Sequence, residues 1–307
     1  MSRVAAIDCG TNSVRLLVAD VDGSRLVDVV RRMEIVRLGQ GVDRTGRFAA
    51  EALERTFAAL RSFASDLERC GSPPVRMVAT SATRDAANRE EFVTGVREIL
   101  GVDPEVVTGM AEAALSYEGA TRELAGCPVD PPYLVVDIGG GSTEFVLGDG
   151  EVHAARSVDI GCVRMSERHF AADPPTAAQV AAATDDIDSA IALAGEEVPF
   201  EEARTLVGLA GSVTTVAAIA LELPDYDPER IHHARIPADR VRDISERLLY
   251  LDRAQRAAIP VMHPGRVDVI AAGALVLRRI IDRLGCDGVV ASEHDILDGI
   301  AYRLADG

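Results

Sequence analysis

Tryptophan is absent, and aromatic residues make up only 4% of the 307 residues. That argues against a surface on which nucleic-acid bases stack. Positive charge is also scarce, with 32 basic against 49 acidic residues and a net charge of −17. Such a chain repels nucleic acid and anionic membrane at long range, so neither is expected as a partner. A polyanionic ligand would have to be drawn in by a local cationic pocket or a bridging metal. No apolar run reaches the ~18 residues of a membrane helix. The opening MSRVAAID lacks a signal-peptide h-region, so a cytoplasmic protein is expected. The cysteines at 9, 70, 127, 162 and 286 are scattered with no CxxC pair. This favours reduced thiols and disfavours a zinc site.

Two short segments look like copies of one device. AAIDCGTNSVRLLVA (5–19) and YLVVDIGGGSTEFVL (133–147) each run from apolar residues through Asp and a small polar turn into a second apolar run. Each reads as strand, phosphate-sized turn, strand. Around the first copy the pattern predicts strands at 4–8, 14–20, part of 26–38, 75–80 and 106–107. It predicts helices at 49–69, 89–100 (capped by Asn88) and 110–124. CPVDPP (127–132) blocks helix and central strand and marks a boundary. Strands at 134–137, 143–147, 152–158, 205–208 and 288–291 follow. Helices are expected at 163–170, 176–194, 212–222, 238–249, 266–284 and 295–304. The expected fold class is therefore α/β with two similar lobes, 1–126 and 127–307. The final helix, 295–307, is a candidate to pack back on the first lobe, and the paired turns are expected to close on one phosphorylated ligand.

The turn from Asp137 to Glu144 carries most of the chemistry. Gly139, Gly140 and Gly141 let backbone approach a ligand, and successive N–H groups can form an anion nest. Ser142 and Thr143 add hydroxyls. Asp137 and Glu144 flank the turn with oxygen ligands suited to magnesium. In the first copy, Thr11, Asn12 and Ser13 are donors and Arg15 is a candidate phosphate clamp. The alternative for either is a plain structural turn. Neither matches GxxxxGK[ST] or GxGxxG. Arg84 falls where a strand ends and a helix begins, a common ligand position in α/β folds, though a surface arginine in a cap-rich loop would read the same. Glu112 opens a helix, where it serves either the helix dipole or general-base chemistry, and residue physics does not choose between them. Gly211 and Ser212 form another glycine turn before a helix, and Arg266 is a cation at a helix start; each is equally readable as packing. His232 and His233 read as a loop pair, since no carboxylate has metal-ligand spacing to them.

Taken together, DCGTNSVRLL, VATSATRDAANREEF, VTGMAEAALSYEGA, VVDIGGGSTE, GLAGSVTTVAAI, MHPGRVDVIAAG and SEHDILDGI resemble the exopolyphosphatase / guanosine pentaphosphate phosphohydrolase family, and its short actinobacterial members most. The resemblance covers nearly the whole chain. It implies the two ribonuclease H-like lobes, with a cleft between them, of the sugar kinase, acetate kinase and actin superfamily. It implies Mg2+- or Mn2+-dependent release of terminal phosphate from inorganic polyphosphate. Glu112 would be the base, Arg84 a phosphate contact, and Asp137 and Glu144 the acids near the metal. Rival readings are guanosine pentaphosphate hydrolysis, a kinase of the same superfamily, or a catalytically silent alarmone sensor, with (p)ppGpp as ligand or inhibitor. A homodimer is expected. Net charge and the lack of further C-terminal helical modules favour short polyphosphate chains. Asp298 stands where relatives often carry Arg, which puts a phosphate contact from the tail in question.

Overall fold

The computed structural model describes residues 2–23 and 25–306. The chain divides into two compact units, one running to Ala125 and resuming at Asp295, the other Gly126–His294. The segment after residue 294 therefore belongs to the first unit.

The first unit holds β1 (Ser2–Cys9), β2 (Ser13–Asp22), β3 (Arg25–Ile35), β4 (Val75–Ala79) and β5 (Glu105–Val106), in the sheet order β3-β2-β1-β4-β5. β1 pairs antiparallel with β2 and β2 with β3, whereas β1, β4 and β5 run parallel. The second unit holds β6 (Tyr133–Ile138), β7 (Thr143–Gly148), β8 (Val152–Val158), β9 (Thr205–Leu209), β10 (Arg235–Pro237) and β11 (Gly288–Ala291). Its order β8-β7-β6-β9-β11 repeats the first sheet strand for strand, with the same antiparallel and parallel directions. This is the ribonuclease H-like order, present twice. β10 is an extra antiparallel edge strand, too short at three residues to show a period in sequence.

Burial follows from position in the sheet. All six residues of β6 and the last six of β1 are buried, because each is a central strand covered on both faces. β3, at the edge, has no buried residue. One face of the first sheet packs on Leu60, Phe63, Phe92 and Val96. The other packs on Leu115, Ile300 and Tyr302. Asn88 does not cap its helix as expected. Its side chain accepts from the Phe48 N–H at 2.8 Å and donates to the Phe48 carbonyl at 3.3 Å, tying a preceding loop down.

The C-terminal helix Ile296–Asp306 lies on helix Gly109–Thr121, and glycines permit the approach. A Cβ on Gly299 would run into the Leu115 carbonyl, and one on Gly119 into the Asp295 carbonyl. Gly299→Val is therefore expected to cost about 3 kcal/mol through overpacking. Gly126→Ala, where a Cβ meets open space, should stay within about 0.5 kcal/mol. Urea midpoints of the two variants check the contrast.

Candidate functional site

The two turns are closed in the same way. The Gly10 N–H donates to the Ser13 carbonyl at 3.0 Å, and the Gly139 N–H donates to the Ser142 carbonyl at 3.1 Å. Neighbouring segments then use up the turn carbonyls. In the first unit Gly39 donates to Thr11 at 2.8 Å, and Val36 and Arg37 donate to Asn12 at 3.1 and 2.9 Å. In the second, the start of helix Cys162–His169 does this work: Cys162 donates to Gly139 and Val163 to Gly140, both at 2.9 Å. The Arg164 Nε donates to the Gly141 carbonyl at 2.7 Å. A Cβ at Gly161 would strike the backbone of Gly140 and Gly141, so that position must stay bare.

With the carbonyls drawn away, the N–H groups of Thr11 and Asn12, and of Gly140, Gly141 and Ser142, carry no hydrogen bond among the described residues. Each turn is thus a concavity of free donors, the form of an anion nest. In the first unit this coincides with buried, unpartnered side-chain oxygens: Asp8 Oδ1, Thr11 Oγ1, Asn12 Oδ1 and Thr83 Oγ1. Buried polar atoms are normally bonded, so four in one unit point to a missing partner. Ser13 begins β2, opposite Ile35, and engages the turn through its carbonyl.

Equivalent register positions carry different chemistry. Asp8 on β1 faces Arg15 on β2, whereas Asp137 on β6 faces Glu144 on β7. Directly opposed residues share one sheet face with Cβ atoms ~5 Å apart. In the first unit the pair neutralises itself. Arg15 Nη2 and Nε donate to Asp8 Oδ2 at 2.7 and 3.0 Å, and Nη1 donates to Asp295. The guanidinium is thus committed to carboxylates, a different job from the phosphate clamp expected of it. In the second unit two carboxylates, 7% and 1% exposed, oppose each other. Glu144 Oε1 accepts from the Ser157 hydroxyl at 2.7 Å. A buried acid pair of this kind is favoured by nearby positive charge. Its all-oxygen donors fit a hard ion such as Mg2+, which binds through one or two carboxylates and keeps waters and phosphate oxygens for the rest.

Arg84 and Glu112 are brought together. Glu112 sits in the first turn of helix Gly109–Thr121, whose Thr108 cap accepts from the Ala111 N–H at 3.2 Å. Its carboxylate is 8% exposed and accepts from Arg84 Nη1 at 2.5 Å. The same Nη1 donates to the Val107 carbonyl at 3.1 Å. In the second unit, the Arg266 guanidinium lies against Gly211, where a Cβ would collide with it, and donates to Thr215 Oγ1 at 3.0 Å. Ser212 is buried beside it at the start of helix Ala210–Ala220.

A model of the Ppx/GppA phosphatase family matches residues 17–306. The chain belongs to this family. It is 49% identical to a Mycobacterium tuberculosis protein named Exopolyphosphatase 2, over 99% of both chains. The crystal structure of an exopolyphosphatase-like protein superposes with a TM-score of 0.96 at 43% identity, covering 99% of each chain. That of an exopolyphosphatase from Cytophaga hutchinsonii superposes at 0.89 and 25% identity, covering 100% of this chain and 98% of the other. Among the described residues no helix is long and apolar enough to cross a membrane.

Within this Ppx/GppA chain, the residues that sequence reasoning missed are those whose partners are remote. Asp295 joins Arg15 across 280 positions. Tyr226 bridges Thr214 Oγ1 and Glu293 Oε1 at 2.7 and 2.6 Å, with Arg266 over its ring at 5.8 Å. The SEHD stretch was the available signal for Glu293 and Asp295. Asp298 also acquires a role: it accepts from Arg31 and from the Asp295 N–H, fixing the tail inside the first unit.

Burial works to raise the Asp295 carboxyl, but Arg15 and the Leu297 N–H outweigh it and hold its pKa below the ordinary 3.8. For Asp8, burial dominates and raises the pKa despite Arg15. A depressed carboxyl contributes stability above the unfolded pKa and loses it as pH falls through the native value. Asp295→Asn should therefore cost about 3 kcal/mol at pH 7. The gap to wild type should shrink below pH ~4. Urea unfolding across that range checks both magnitude and sign.

Proposed function

We propose that this protein is a Mg2+-dependent exopolyphosphatase that hydrolyses the terminal phosphoanhydride bond of inorganic polyphosphate. The observation that carries the reading is the buried Glu112 carboxylate in contact with Arg84, in the unit whose first turn presents free donors and orphaned oxygens. Family membership and the names borne by its relatives support it.

In this reading Glu112 accepts a proton from the water that attacks the terminal phosphorus. Arg84 moves its charge from the carboxylate to the phosphoryl oxygens. That exchange leaves Glu112 more basic once substrate is bound, because its cationic neighbour is then shared with an anion. The Thr11–Ser13 turn supplies N–H and hydroxyl donors to phosphate oxygens. The Gly139–Ser142 turn supplies N–H groups, and Arg266 beside Gly211 and Ser212 supplies a further cation. These groups position the chain and stabilise charge, which is what a loose phosphoryl transition state requires. Asp137 and Glu144 would hold the magnesium ion, whose charge offsets that of the phosphate oxygens as the bond breaks.

Two outcomes test the assignment by release of inorganic phosphate from polyphosphate. Glu112→Gln keeps the shape and removes the basicity, so kcat should fall on the order of 10²–10⁴ with KM little changed. Near-wild-type turnover would remove Glu112 from the chemistry. Glu144→Gln should raise the Mg2+ concentration for half-maximal activity about tenfold or more, since one of two carboxylate ligands is lost. Magnesium titration of the two proteins measures the shift.

A further inference from the structure

All 32 basic side chains are arginines, and the chain contains no lysine. Most of these guanidiniums answer an acid: Arg15 with Asp8, Arg31 with Asp298, Arg76 with Glu105, Arg279 with Asp188. A cluster in the first unit departs from this. An open pocket of about 640 Å³ in the first unit is lined by Arg44, Arg47 and Arg55, over a floor that includes Phe48. Arg44 makes no hydrogen bond or ion pair among the described residues. Arg55 donates to the Val36 carbonyl at 2.9 Å and to Gln40 Oε1 at 3.2 Å, neither of which carries charge. Arg47 reaches Glu91 only at 3.7 Å, with both side chains more than half exposed. Glu51 is the single acid in the lining. Three arginines and one acid line this hollow, a local excess of positive charge in a chain with a net charge of −17.

The pocket adjoins the first turn. Gln40 lines it, and the preceding Gly39 donates to the Thr11 carbonyl and packs so closely that a Cβ there would overlap the Thr11 methyl. Consecutive Cα atoms are ~3.8 Å apart, so the pocket wall begins one residue from Gly39, which contacts the turn with the orphaned oxygens. Another part of the lining is tied to the segment that follows Arg84: Asn88 brackets Phe48, and the Ala87 N–H donates to the Gly46 carbonyl at 2.8 Å. Planar guanidiniums bind phosphate bidentately, which suits this lining to the oligophosphate that the Thr11–Ser13 turn would take.

We propose that the Arg44–Arg47–Arg55 pocket is a second oligophosphate subsite, which holds phosphates beyond the one that is cleaved. The proposal rests on the exopolyphosphatase reading for its substrate and on the pocket alone for its chemistry. It reverses the short-chain preference expected from net charge, because distal phosphates gain contacts instead of lying over acidic surface. The recognised group is a flexible oligophosphate, whether free or carried by a nucleoside.

The test compares wild type with the Arg44→Glu/Arg47→Glu double variant. The ratio of kcat/KM on long-chain polyphosphate to that on tripolyphosphate should drop about tenfold or more in the variant. Added monovalent salt should narrow the difference, since exposed charges are screened beyond ~8–10 Å. Arg44→Ser alone disturbs no internal bond and should show the same direction with a smaller drop. An unchanged ratio in both variants overturns the subsite. Should wild type release no phosphate, the exopolyphosphatase reading fails. Calorimetric affinity for the same two polyphosphates then reads the pocket separately, with a selective loss for the long chain supporting it and equal affinities overturning it. ATP as a competitor separates the sources. Displacement of long-chain polyphosphate from wild type but not from the variant supports a nucleoside-borne oligophosphate at this pocket. Displacement equal in the two proteins overturns that source and leaves the inorganic chain.

Discussion

The first unit depends on one guanidinium. Arg15 joins Asp8 at the end of β1 to Asp295 at the start of the returning C-terminal segment. Removing either acid leaves a part-buried cation short of a partner, which is far more costly than the pair is worth when intact. The contact therefore fixes where the tail enters the unit. Its consequences reach the chemistry, because the helix the tail packs on is the one that presents Glu112. Asp298 and Arg31 repeat the device one turn further on.

The duplicated sheet makes the difference between the two units easy to interpret. The same register position carries Arg15 in one and Glu144 in the other. One substitution of sign turns an arginine–aspartate strand pair into a pair of opposed acids. The backbone device is otherwise the same: a glycine N–H closed on a serine carbonyl, turn carbonyls drawn off by a neighbouring segment, and N–H groups left free. One fold thus provides a structural ion pair in one copy and a candidate metal site in the other, with turns of free N–H donors in both.

Close backbone approach is the second constraint. Gly161 lies on the Gly140–Gly141 backbone, Gly211 under Arg266, and Gly299 and Gly119 at a helix crossing. A methyl group at any of these would displace a turn, a cation or a helix. Arginine stands at every position where lysine could serve, so each of these contacts has a fixed charge and a planar geometry across the physiological pH range.

The strand-turn-strand copies, the alternation of helices and strands, and the residue types of both turns were determined by local sequence. Apolar period and glycine placement act over a few residues, and most elements lie where they were expected. Glu112 was legible as a first-turn carboxylate but not as a partner of Arg84, 28 positions away. Arg15 shows the limit most clearly. Its residue type suits a phosphate, and only tertiary structure decided that it holds Asp8 and Asp295 instead. The Asn88 amide was likewise claimed by a distant loop instead of by its own helix. Net charge is a sum over the chain and carries no information about position, so the arginine pocket beside Thr11 was invisible in composition. Partner choice among charged groups depends on which surfaces the fold brings within ~4 Å, and that is a property of the packed chain.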